Sequence, residues 1–336
     1  MPHSHDLVVL GDANPDVVVG PVDGPLAFGQ REQLVDSGAL TLGGSAAIMA
    51  CGAARLGLSV ALAGRVGDDE AGHFVRDALA ARGVDISALR VDPELPTPLT
   101  VVVTRGKGPA GDRAILTSPG TLAATDGDDV PPGLLSSARH VHAASYFLMP
   151  RLARALPALL RTARCHGATT SLDTNDDPVG RWDPEGLAAV LPVTDFLLPN
   201  AAEAVALADA DAGAGADAGT GAGPGAGSSL AAAAARLAAR GPVTVVKNGA
   251  DGAFAHDGRS LVHTRGITVT PRDTVGAGDS FDAGFVAAIL AGLPLSGALE
   301  TAAACGALST RAHGGTPAQP TWEEARAHTA LLATTD

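Results

Sequence analysis

The stretch Asp273-Thr-Val-Gly-Ala-Gly-Asp279-Ser-Phe-Asp-Ala-Gly-Phe285 decides how the rest of this sequence is read. Two glycines, Gly276 and Gly278, flank Ala277, where a helix is expected to begin. Small residues there let backbone N–H groups approach an anion, and the helix N-terminus adds positive dipole. A carboxylate, Asp279, falls in that first turn. An amide cradle with a carboxylate beside it is what phosphoryl transfer needs. The amides stabilise the moving group, and the carboxylate accepts the proton of an attacking hydroxyl. An acid in a first turn also complements the helix dipole without any catalytic part, and the segment alone leaves both readings open. In either case the dipole is expected to depress the pKa of Asp279.

Outward from this segment, short apolar runs alternate with amphipathic ones. Leu7–Leu10, Ser59–Ala63, His140–Ala144, Thr169–Leu172, Asp195–Leu198 and Val243–Lys247 read as strands. Ser45–Leu56, Glu70–Arg82, Arg151–His166 and Leu230–Arg240 read as helices, followed by Gly276–Ala291, Leu295–Arg311 and Trp322–Leu332. This order predicts a doubly wound α/β fold, a mostly parallel sheet flanked by helices, in a single domain over 1–336. Polar residues gather at the strand ends: Asp12 and Asn14, Asp173 and Asn175, Asn200, Lys247 and Asn248. In such sheets ligands bind beyond the carboxyl ends of the strands. His140 and His142 alternate on a strand without paired metal spacing and read as structural.

Two stretches depart from the pattern. Asp16–Leu42 is rich in Pro, Gly and Val without helical period, and Thr97–Arg105 and Arg113–Ser118 are β-like runs around the glycine-rich Gly106–Gly111. Residues 16–42 and 97–118 are therefore expected to form a small β-sheet lid, able to exclude water during reaction. An ordinary edge hairpin is the plainer alternative. Ala208–Ser229 is low in complexity and predicts a flexible surface loop without a role in the site.

The chain has 336 residues, 46% of them hydrophobic, and a formal net charge of −13. The acidic balance argues against nucleic acid or a membrane surface as partner. Cys51, Cys165 and Cys305 are far apart and lack metal-ligand spacing, which predicts free thiols in a reducing compartment. No apolar run has the roughly 18 residues of a membrane span. The N-terminal MPHSHDLVVLGD lacks signal-peptide character. The expected location is cytoplasmic. Lysine occurs only at Lys107 and Lys247, so the second, at a strand end, draws notice.

DTVGAGDSFDAG resembles the second signature of the PfkB, or ribokinase-like, kinases. That resemblance implies that Gly276, Ala277 and Gly278 form an anion hole and that Asp279 is the catalytic base. Further landmarks follow in family order over nearly the whole chain. Gly11-Asp-Ala-Asn-Pro-Asp16 is similar to the first-strand motif whose last aspartate holds sugar hydroxyls, with Asp12 and Asn14 as further contacts. Leu42-Gly-Gly-Ser-Ala-Ala47 resembles the glycine pair, Gly43 and Gly44, that lets substrate approach the backbone. Gly64-Arg-Val-Gly-Asp-Asp-Glu-Ala-Gly72 is similar to the family's glycine–aspartate turn. Pro199-Asn-Ala-Ala-Glu203 resembles the motif by which Asn200 and Glu203 help place Mg2+ and phosphates, through water where magnesium keeps its hydration. Val246-Lys-Asn-Gly-Ala-Asp-Gly252 is similar to the nucleotide-lining strand and turn, implying Lys247, Gly249 and Gly252, with Thr274, as ATP contacts.

The resemblance thus implies ATP-dependent phosphorylation of a hydroxyl, expected to be a primary alcohol of a sugar or sugar-like molecule. It also implies a K+ site beneath the anion hole, from Asp273, Val275, Thr310, His313 and Gly315. An exposed lid sheet would suit a homodimer. One departure matters: Ile48 stands where the family usually has a sugar-contacting asparagine. Either the substrate lacks a hydroxyl there, or Gln30 or Gln33 of the lid replaces the contact. An apolar wall would also suit a nucleoside kinase of the same fold. A non-catalytic metabolite sensor would not need Asp279.

Overall fold

The structure, a computed structural model, describes residues 3–106, 112–213 and 230–332. Among these, nine strands form the main sheet. Their order is β13 (Leu261–Thr264), β12 (Ala253–His256), β11 (Val243–Lys247), β10 (Phe196–Leu197), β9 (Thr169–Leu172), β8 (Ala138–Ala143), β1 (His5–Leu10), β4 (Val60–Gly67) and β5 (Leu89–Asp92). From β11 to β5 every pairing is parallel, while β12 and β13 run antiparallel at one edge. Leu7 to Leu10 of β1 are all fully buried, as expected of a parallel strand covered on both faces.

Alternate residues of β1 serve opposite cores, the period-two rule of a strand. Leu7 and Val9 face α1 (Ser45–Arg55), α2 (Glu70–Ala80), α7 (Ala277–Leu290), α8 (Leu295–Ser309) and α9 (Trp322–Leu332). Val8 and Leu10 face α3 (Pro150–Cys165), α4 (Pro184–Val190), α5 (Ala201–Gly213) and α6 (Leu230–Ala238). Helix α3 shows why these segments are helical. Pro150 opens it, and Leu152, Leu156, Leu160 and Ala163 repeat on one buried stripe.

A second sheet of four strands has the order β3 (Ser37–Gly43), β2 (Asn14–Gly20), β6 (Leu99–Arg105) and β7 (Asp112–Ser118). It is the small sheet expected from the two irregular stretches. Strand β2 leaves the end of β1 almost at once, so the chain passes from the main sheet into the small one through Gly11, Asp12 and Ala13.

The remaining differences are local. The antiparallel edge β12–β13 and helix α4 were not expected from the apolar runs. Helix α5 takes in Ala208–Gly213, the first part of the low-complexity stretch, because alanine there continues the helix. The rest of that stretch, and residues 107–111 of the glycine-rich turn, lie outside the described residues. The three cysteines are free. No helix among the described residues is long and apolar enough to cross a membrane.

Candidate active site

The order of the main sheet reverses at β1, which lies between β8 and β4. The crevice beyond that reversal is where such sheets bind ligands. Asp12, Asn14 and Asp16 leave β1 at this point, Asp173 ends β9, Lys247 ends β11, and the first turn of α7 closes the group.

Gly276 caps α7 with φ of 72°, a left-handed conformation that glycine adopts at little cost. A Cβ there would come within 2.6 Å of Gly315 Cα, so both conformation and space demand glycine. The Ala277 amide donates to the Thr274 carbonyl at 3.3 Å, and the next first-turn amides have no acceptor within the helix, as the expected cradle requires. Ile48 backs this turn. It is 3% exposed, and its branches lie where Cβ atoms on Gly276 and Gly315 would fall. Gln30 and Gln33, the lid residues considered as substitutes for an asparagine at 48, are both exposed. The Gln33 side chain accepts from the Ala27 amide.

Asp279 is buried in the first turn of α7. The expectation of a depressed pKa is overturned: its carboxyl is pushed up to about 8. Burial is the main cause and the charge of Asp173 the next, with Lys247 pulling the other way. The dipole argument considered only the helix that carries Asp279, whereas loss of water and a carboxylate from another strand decide the outcome.

Lys247 lies beside the cradle. A Cβ on Gly278 would sit 3.5 Å from its Nζ. The ammonium donates to Asp173 at 2.6 Å and to both oxygens of Asp282 at 3.2 and 3.3 Å. Burial alone would lower the lysine pKa, but Asp173, Asp282 and Glu203 outweigh it and hold the group charged. The sequence pointed to Lys247 as a nucleotide contact and did not reveal that two buried carboxylates hold it. Asp282 was passed over, although a fully buried carboxylate on an otherwise apolar helix is a signal in itself.

On the acceptor side, Asp12 accepts from the Ala46 and Ser45 amides at 3.0 and 3.2 Å, so it caps α1 from the end of β1. Gly44 stands at the N-cap with φ of 86° and offers no side chain of its own. Asn14 donates to Asp16 at 2.9 Å and to Thr100 of the small sheet at 3.2 Å. Asp16 is buried, and its carboxyl is pushed up to about 7 by burial and then by Asp12. A Cβ on Gly43 would overlap the Asp16 carboxylate, which explains that glycine. Asn175, also at a strand end, donates to Ser45 at 3.0 Å and accepts from the Ser145 amide.

Asn200 and Glu203 form a reciprocal cap on α5. Glu203 accepts from the Asn200 amide and side chain, and Asn200 accepts from the Glu203 amide. Burial, then Asp173, pushes the Glu203 carboxyl up to about 7. Gly249 and Gly252, with φ of 57° and 93°, shape the turn after β11, and Thr274 is exposed ahead of α7.

The groups expected around K+ are gathered but already engaged. The Asp273 carboxylate accepts from the Val275 and Gly314 amides, and the Thr310 carbonyl accepts from Arg272 and Asp273. His313 is exposed and Gly315 packs on Ile48.

The chain matches the family described as "pfkB family carbohydrate kinase" over residues 4–322. It is 32% identical to the ATP-dependent ribose-1-phosphate kinase of Halopiger xanaduensis, covering 81% of each chain. It is 32% identical to a fructokinase of Klebsiella pneumoniae, covering 83% of this chain and 88% of that one. In three dimensions it resembles a candidate ribokinase II from E. coli solved with ATP and Mg2+. The TM-score there is 0.80 at 23% identity, covering 97% of this chain and 99% of the other. The matched span, the two curated kinases and the shared fold together place this chain in the pfkB family as an ATP-dependent carbohydrate kinase.

Proposed function

We propose that the protein transfers the γ-phosphate of ATP to a primary alcohol of a sugar or sugar-like molecule. The observation that carries this reading is Asp279, buried beside the amide cradle with its carboxyl pushed up to about 8. A base with a pKa near the working pH accepts a proton better than an ordinary surface carboxylate. In this reading Asp279 takes the hydroxyl proton while the backbone of Gly276, Ala277 and Gly278 receives the phosphoryl group. Asp16, held by Asn14, accepts from two adjacent hydroxyls.

Lys247, Gly249, Gly252 and Thr274 line the nucleotide side. Asn200 and Glu203 fit magnesium: the donors are hard oxygens, and Glu203 lies close enough to Asp173 for repulsion to raise its pKa. Magnesium bound there with ATP would neutralise phosphate charge. ATP use and three free cysteines favour the cytoplasm.

The test is a panel of sugars and nucleosides incubated with ATP and magnesium, with ADP release and the phosphorylated product both measured. Phosphorylation of a sugar at a primary hydroxyl is expected. Turnover of nucleosides alone would replace the sugar by a nucleoside, and no phosphorylated product from any acceptor would overturn the reading.

The small sheet is proposed to act as the lid. Most described residues of β3 and β7 are exposed, so their amides exchange readily when the site is empty. Adding acceptor with ADP is expected to slow amide exchange in β2, β3, β6 and β7 more than in β8 or β9. Equal protection with and without ligand would exclude closure.

The same sheet is proposed to pair with a second copy. Leu40, Ile115 and Leu116 are each more than half exposed on its strands. Wild-type protein is expected to sediment as a dimer and Ile115→Asp as a monomer. A monomeric wild type would remove the dimer.

A further inference from the structure

Lys247 and Asp282 form a pairing that fold stability does not explain. Asp282 is fully buried in a helix otherwise built of Gly, Ala, Phe, Val, Ile and Leu beyond its first turn. Replacing a buried ion pair by apolar side chains is often neutral or stabilising, so packing alone gives no reason for it. Its placement gives one. Asp282 lies one turn beyond Asp279 on α7, whose start is the amide cradle. It grips an ammonium that comes from β11, on the main sheet. That ammonium has three N–H donors. Asp173 takes one, the two Asp282 oxygens at 3.2 and 3.3 Å share another as a bifurcated pair, and Nζ lies 3.5 Å from where a Gly278 side chain would begin. Glycine at 278 thus leaves open the space between the cradle and the lysine.

We infer that Asp282 is a positioning residue, which fixes the Lys247 ammonium against the cradle so that its remaining donor serves the phosphoryl group in flight. This deepens the kinase reading given above and rests on it. Two carboxylates from different elements, β9 and α7, hold the charge from two sides. A lysine stem with four rotatable bonds would otherwise sample many positions. Because one anchor is on α7, the ammonium keeps its place relative to the cradle if the helix shifts against the sheet.

The experiment is a double-mutant cycle of Lys247→Met and Asp282→Asn. It is read on sugar phosphorylation, on the slow acceptor-independent hydrolysis of ATP, and on affinity for ADP with and without aluminium fluoride. Lys247→Met is expected to lower kcat about 10²-fold and Asp282→Asn about tenfold, the range for losing or misplacing a charged hydrogen bond. Acceptor KM and ADP affinity should change little, while ADP–aluminium fluoride affinity falls in step with kcat. The double variant should be no slower than Lys247→Met alone, since Asp282 acts through the lysine. The paired substitution still leaves Asp173 without its ammonium partner, so the melting temperature of each of the three variants is measured as the guard against a folding loss. Multiplicative losses in the double variant, or Asp282→Asn with parental kcat, would overturn the inference. The hydrolysis and aluminium fluoride readouts do not depend on the acceptor. A wrong sugar assignment would leave them intact, whereas a wrong role for Asp282 would not.

Discussion

Asp279→Asn is expected to lower kcat by at least about 10², the usual range for losing a general base being 10²–10⁴. Nucleotide affinity measured by calorimetry on the same variant should stay within about threefold, because the cradle is backbone and the substitution leaves it in place. The parental pH profile should report the same group. A base works ionised, so kcat/KM should climb as pH rises through about 8 and level off above it. Stability should run the other way. A carboxyl raised in the folded protein is least costly when protonated, so its contribution is most favourable below 3.8 and is lost as pH rises through about 8. At pH 8.5 the Asn variant should therefore melt above the parent, by an increment of roughly 0.5–2 kcal/mol. Turnover within tenfold of the parent would remove Asp279 as the base. Lost turnover together with lost nucleotide binding would point instead to a collapsed cradle.

Gly43→Ala is expected to damage acceptor binding as much as Asp16→Ala does, although it removes nothing. The added methyl would overlap the Asp16 carboxylate, which then has to abandon its bond to Asn14. Losing a charged hydrogen bond to a sugar hydroxyl costs about 10- to 100-fold in affinity. Acceptor KM should rise by that factor in both variants, with the KM for ATP unchanged. Gly43 is not among the positive-φ residues, so alanine introduces no backbone strain there and the effect isolates the clash. Acceptor KM within threefold of the parent in Gly43→Ala would mean that Asp16 does not bind the acceptor from this position.

Much of this protein is legible in one dimension. Parallel strands buried on both faces give unbroken apolar runs, so β1, β8, β9 and β11 fall within a residue or two of their expected places. The cradle is legible because Gly276, Ala277 and Gly278 act through local backbone. What was missed is non-local. The antiparallel edge depends on a short turn from Asn248 to Gly252 that returns the chain along β11. The raised pKa of Asp279 comes from burial and from Asp173, more than a hundred residues away in sequence. Gln319 donates to the Ile48 carbonyl at 2.9 Å and to Ser280 at 3.1 Å, tying α1 and α7 together. Nothing near Gln319 in the sequence marks it. Arg65 likewise joins Asp92 and Asp129, two carboxylates that lie outside the glycine–aspartate motif containing it.

The small sheet is built from two excursions that leave the chain at different places, and its central pair sets Val17 beside Val101. Contacts between residues so far apart in sequence have to close a large loop before they bring any gain. From β8 to β13 the main sheet, by contrast, grows from strands that follow one another in the chain, whereas β1 has to close on β8 across a still larger loop. Refolding should therefore deliver the β8–β13 part of the sheet while β1 and the small sheet are still apart. In such an intermediate Asp173 and Lys247 would be in place before Asp16, just beyond β1, had reached the site. Competence to hold nucleotide should thus return earlier in refolding than competence to hold the acceptor. A nascent molecule caught between the two would have the parts for ATP and no means of choosing what receives its phosphate.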